Sequence, residues 1–105
     1  TTNCYDQLEA LEKATPKQLL SMSSAFRMEI NVAIREAFID VMANLEKCCP
    51  ALTNDDLFYC VLSLMHCSNR VIIELMNVSS DALKMRKSRI KGKLREDIFK
   101  YIYWD

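Results

Sequence analysis

The chain has 105 residues, half of them apolar and about a quarter charged, with 14 acids balanced by 14 bases, one His, one Gly, two Pro and five Cys. That is material for one packed domain, or a small domain with an extension, and it argues against disorder. So few glycines and prolines exclude hairpin-rich β folds, glycine-rich phosphate loops and doubly wound nucleotide folds, and no apolar run approaches the ~18 residues of a membrane span.

Residues 4–14 place Cys4, Leu8 and Leu11 at helical spacing among charged neighbours. Thr15-Pro16 then marks a helix start, because Thr can cap and Pro fits the first turn. From Pro16 to about Cys49 there is no further breaker. Phe26, Ile30, Ile34, Ala37, Val41, Leu45 and Cys48 recur every three or four residues, which predicts one long amphipathic helix. Met28, Val32, Ile39 and Met42 form a second apolar stripe on it. Two stripes need two partners: the domain that follows and either the preceding segment or a second copy of the chain. The Ser21–Ser24 cluster is a place where this helix can break in two.

Cys49-Pro50-Ala51 ends the long helix. Thr53 with Asp56 three residues on is a capping box. Leu57, Cys60, Val61, Leu64 and Met65 give the buried side of the helix it starts. Ser68 caps a short helix whose apolar side is Val71, Ile72, Leu75 and Met76. Asn77 tolerates left-handed geometry, and Ser79 caps a third helix from Ser80. The expected fold is therefore all-α. A helical stalk spans 1–49, and a three- to four-helix DNA-binding unit spans 50–105 in the order of a helix-turn-helix. The third helix either runs on past Leu94 or gives way to a short fourth element at Glu96.

Charge is distributed unevenly. Residues 1–60 carry nine acids and five bases, residues 61–105 five acids and nine bases, and KMRKSRIKGKLR (84–95) holds seven bases and no acid. At about 100° per residue, Leu83, Ile90 and Leu94 share the core face of the third helix. Asp81, Met85, Ser88 and Gly92 lie opposite. Lys84, Lys91 and Arg95 occupy one flank and Arg86, Arg89 and Lys93 the other, while Lys87 borders the core. A ridge without long side chains, walled by cations, suits the major groove: the ridge nears base edges while the walls meet phosphates.

The cysteines are odd in number and form no CxxC pair, so neither a disulfide framework nor a zinc finger is expected; Cys60 and Cys67 read as small buried residues. His66 adjoins Cys67, but neighbours in sequence point different ways and no third orienting group is evident. No catalytic residue, metal or cofactor is expected.

Residues 52–94 resemble the LuxR-type (GerE-like) helix-turn-helix. The resemblance rests on Leu52-Thr53, Asp56 in place of Glu, Ser68-Asn69, Ile72, Met76, Val78-Ser79, Ala82-Leu83-Lys84, Ile90 and Lys93-Leu94, with every spacing kept over 43 residues. The phrase CCPALTNDDLFYCVLSLM and the helix before it are similar to the C-terminal output domains of regulators common in Bacteroidetes. The resemblance implies binding to double-stranded DNA in transcription control, with Lys84, Met85 and Ser88 reading bases. Phosphate contacts are expected at Ser68, Asn69, Arg86, Arg89, Lys91, Lys93 and Arg95. The chain departs from the family pattern at His66, where the family has Gly, at Val71, where an acid normally completes a capping box, and at Arg86, where the family has His. The expected partners are duplex DNA, a second copy paired through the long N-terminal helix, upstream sensory domains and RNA polymerase, in the cytoplasm. With no initiator Met and no signal-peptide pattern, the sequence reads as a fragment of a longer regulator. Two other readings are a sigma-factor-like promoter-reading region and a protein-interaction module using the helical stalk and the aromatics Phe99, Tyr101, Tyr103 and Trp104.

Overall fold

The structure, a computed structural model, describes residues 4–94. All regular structure among these residues is helical: α1 (Cys4–Lys13), α2 (Pro16–Leu20), α3 (Ser24–Ala37), α4 (Ile39–Cys48), α5 (Asn54–Leu64), α6 (Asn69–Met76) and α7 (Ser80–Lys93). Arg95 and the segment 96–105, including the question of a fourth element at Glu96, lie outside the described residues.

The long helix expected over Pro16–Cys49 is not there. A straight helix over that range would be about 51 Å long at ~1.5 Å per residue, whereas the molecule's longest axis is 37 Å. The first break falls in the serine cluster. Ser21 ends α2 with its hydroxyl on the Gln18 carbonyl, and Ser23 caps α3 by accepting from the Phe26 N–H at 3.1 Å. The second break is at Phe38, which leaves helical geometry at φ −115°, ψ 26° with no side-chain cap. No Gly or Pro marks it. The Phe38 ring instead meets Tyr5 of α1 edge-on, with centroids 5.9 Å apart. The bend also re-phases the apolar stripes. Ile30 and Ile34 of the first stripe and Met42 of the second all enter the core, while Met28, Val32 and Ile39 remain exposed.

The other starts follow the sequence. Thr15 with Gln18 and Thr53 with Asp56 both close full capping boxes. Ser68 and Ser79 accept from Val71 and Ala82. Helix α5 is the central rod: every residue from Asp56 to Ser63 is buried, which is the pattern of a helix enclosed on all sides. Ile30 and Ile34 of α3, Val71, Ile72 and Leu75 of α6, and Leu83 and Ile90 of α7 belong with it to one core that also takes in Cys4, Leu8 and Leu11 of α1. The residues before and after Pro50 therefore share a hydrophobic interior.

Two left-handed residues aim α6. After α5, His66 sits at φ 60°. The Cys67 N–H reaches back to the Leu62 carbonyl and the His66 N–H to that of Ser63, the paired bonds of a Schellman stop. The position where the resemblance expects Gly thus keeps a glycine-like turn with a His in it. After α6, Asn77 adopts φ 54°, and the Val78 N–H bonds the Ile73 carbonyl. The left-handed form costs an ordinary L-residue about 1–2 kcal/mol and Asn less, which explains Asn77.

Helix α6 is also held at both ends by the N-terminal helices. Arg27 Nε and Asn31 Nδ2 of α3 donate to the Glu74 and Leu75 carbonyls at 2.6 and 3.3 Å. These are last-turn carbonyls that the helix itself cannot satisfy. At the other end Ser68 donates its N–H and its hydroxyl to one oxygen of Glu12, both at 2.9 Å. Val71 cannot complete a capping box from within α6, and Glu12 supplies the missing acceptor from α1. An acid at the start and a base at the end both suit the helix dipole.

Candidate nucleic-acid interface

Helix α7 presents the faces its sequence predicts. Leu83, Ile90 and Leu94 are buried, while Asp81, Met85, Ser88 and Gly92 are exposed, Met85 to 65%. Nothing lies within 4 Å of where a Cβ on Gly92 would sit. The outward ridge is therefore open and low along its C-terminal half. Lys84, Arg89 and Lys91 are exposed beside it, and Lys87 is half-buried, as its place at the core border predicts. The Cys49 thiol donates to the Lys93 carbonyl, closing the end of the helix.

The flanks are not equivalent. Arg86 and Lys93 turn to one buried carboxylate, Asp56 of α5. Arg86 NH1 lies 2.8 Å from Oδ1 and Lys93 Nζ lies 3.0 Å from Oδ2. The Asp56 side chain is only 3% exposed, against 18% for Arg86 and 30% for Lys93. The same carboxylate accepts the Thr53 N–H at 2.9 Å. Burial by itself would push this carboxyl up, but the Thr53 N–H, Lys93 and the Thr53 hydroxyl outweigh it and hold it below its ordinary value. So two of the residues expected on phosphates are drawn to an internal counter-ion on α5.

Sequence reasoning missed Asp56 in this role. Its place in the capping box was readable; its cationic partners, 30 and 37 residues away, were not. Ser68, another expected phosphate contact, faces Glu12 as described above. Asn69 is exposed and lines a small groove with Ser80, Lys84 and Lys87. The structure therefore leaves Asn69, Lys84, Met85, Ser88, Arg89 and Lys91 exposed, with Asn69 and Lys84 lining one groove, and engages Ser68, Arg86 and Lys93 internally.

The cysteines behave as small core residues. Cys60 and Cys67 are buried, and burial pushes each thiol up to about 12, helped by the charge of Asp56 at Cys60 and of Glu12 at Cys67. Neither is a thiolate near neutral pH. Cys49 is also buried, whereas Cys48 is exposed. Among the described residues no helix is long and apolar enough to cross a membrane.

Comparison with protein-family models, with curated proteins and with solved structures gave no match to this chain.

Proposed function

We propose that this chain binds double-stranded DNA sequence-specifically as the output domain of a transcriptional regulator, with α7 lying in the major groove in the manner of a LuxR-type helix-turn-helix. The observation that carries the reading is the open ridge of Met85, Ser88 and Gly92 between exposed cations. A helix serving only solubility has no need to keep its outermost line short while lining its sides with Lys and Arg. On this reading Lys84, Met85 and Ser88 meet base edges, and Asn69, Arg89 and Lys91 meet phosphates, joined by Arg95. Arg86 and Lys93 act mainly by fixing α7 on α5. Binding should weaken steeply with salt as phosphate-bound counterions are released. Fluorescence anisotropy with genomic duplex at rising salt tests it; absence of binding at low salt refutes it.

A second copy is the proposed partner for α3. Met28 is 68% exposed and Val32 47%, and this stripe takes the place of the long-helix seam that the sequence suggested. Pairing there would bring two α7 helices to one duplex, as half-site symmetry requires. Sedimentation of the Met28→Glu variant tests this: the proposal expects a dimer to become monomeric. The exposed stripe equally supports the alternative reading, a protein-interaction module. The sigma-like reading is distinguished by copurification with core RNA polymerase. Upstream sensory domains and a cytoplasmic setting complete the proposal.

A further inference from the structure

Glu12 is joined to the start of α6 from 56 residues away. One of its oxygens accepts both the N–H and the hydroxyl of Ser68 at 2.9 Å. Arg70 in the first turn of α6 fastens the same place from its own side, donating to the Ala14 and Glu12 carbonyls at 2.8 and 2.6 Å. The next residue, Asn69, borders the groove that holds Lys84 and Lys87. An anionic oxygen taking two donors at a helix start, one residue before a groove lined by lysines, is the chemistry that a DNA phosphate would supply there.

We infer that Glu12 is an internal stand-in for phosphate, so that the end of α1 and the duplex backbone compete for the first turn of α6. The inference rests on the DNA-binding reading and adds a control to it. Leu8 and Leu11 anchor α1 in the core. What yields is the Glu12 side chain and the last turn of α1, not the helix. With Glu12 in place, its charge repels the phosphate that Asn69 would otherwise receive. Whatever shifts the end of α1 then tunes affinity at α7.

The test uses the full chain and a labelled random-sequence duplex at low salt, read by anisotropy. Glu12→Ala should tighten binding about three- to tenfold. Glu9→Ala removes the same charge one turn earlier, from an exposed residue paired with Lys13, and should change it less than twofold. In a Ser68→Ala background, where only the backbone N–H is left to share, the gain from Glu12→Ala should shrink. Glu12→Gln, which keeps an acceptor for Ser68, should fall between wild type and Glu12→Ala and covers the case in which Glu12→Ala does not fold, as thermal unfolding would show. Weaker binding by Glu12→Ala would overturn the inference in favour of a purely structural cap. An equal gain from Glu9→Ala, or one that Ser68→Ala leaves undiminished, would reduce it to net charge. No binding by any variant would instead refute the DNA reading itself.

Discussion

Replacing Asp56 by Asn tests whether one buried carboxylate sets α7 on its support. The change keeps the shape and one acceptor for the Thr53 N–H but removes the charge facing Arg86 and Lys93. Breaking a fully buried ion pair from one side costs about 3–5 kcal/mol. Here the carboxylate is 3% exposed, yet Arg86 and Lys93 keep 18% and 30% of their side-chain surface, so both cations can regain water. The cost should fall to about 2–3 kcal/mol once the lost partner is weighed against that recovery. For a domain near this size that lowers Tm by about 10–20 °C, read by circular dichroism at neutral pH. Because the carboxyl is held below its ordinary value in the folded chain, its contribution is complete above the unfolded pKa, near 3.9, and is lost as pH falls through the depressed folded value. The gap between wild type and Asp56→Asn should therefore stay constant from neutral pH down to about pH 5 and close only in stronger acid. A Tm within about 2 °C of wild type at pH 7 would mean that the two ion pairs add nothing to stability.

The two kinds of cation on α7 should separate in a salt titration. Arg89→Ala should lower the slope of log K against log salt by about 0.9 and Lys84→Ala should relax sequence preference, whereas Arg86→Ala should mainly lower Tm. Gly92→Ala should raise stability by about 0.5–1 kcal/mol in thermal unfolding, since a helix-interior Gly is costly and the added methyl meets nothing. Gly92→Gln should fold as well but weaken duplex binding on the order of tenfold, about 1.4 kcal/mol, because it raises the ridge. His66→Gly should stabilise the chain by about 0.5–1 kcal/mol, relieving a left-handed residue at some cost in unfolded-state entropy; a lower Tm would show that the His side chain makes up for its backbone.

What was legible in the sequence was local. Thr15, Thr53, Ser68 and Ser79 announce helix starts because a cap bonds an N–H three residues away. The core face of α7 follows from periodicity alone. Asn77 could be read as a left-handed stop because its short amide tolerates that geometry, while His66 carries no such signal and reaches φ 60° through the Schellman bonds around it. The long helix was misread because Phe38 is an ordinary helix residue whose bend accompanies a contact with Tyr5, 33 positions earlier. The same limit hid the site's internal partners. Nothing near Ser68 points to Glu12, and nothing near Arg86 or Lys93 points to Asp56, since these pairings exist only once α1 and α5 have packed. The sequence therefore disclosed which face of α7 is open, but not which of its cations the fold already holds.

The most direct test is selection of bound duplexes from a random pool by wild type and by Lys84→Ala, Met85→Ala and Ser88→Ala. A reading helix at 80–93 predicts an enriched motif with two-fold related halves, in which each substitution relaxes preference at its own base position. Enrichment of no motif, or one indifferent to all three substitutions, would contradict the placement of α7 in the major groove.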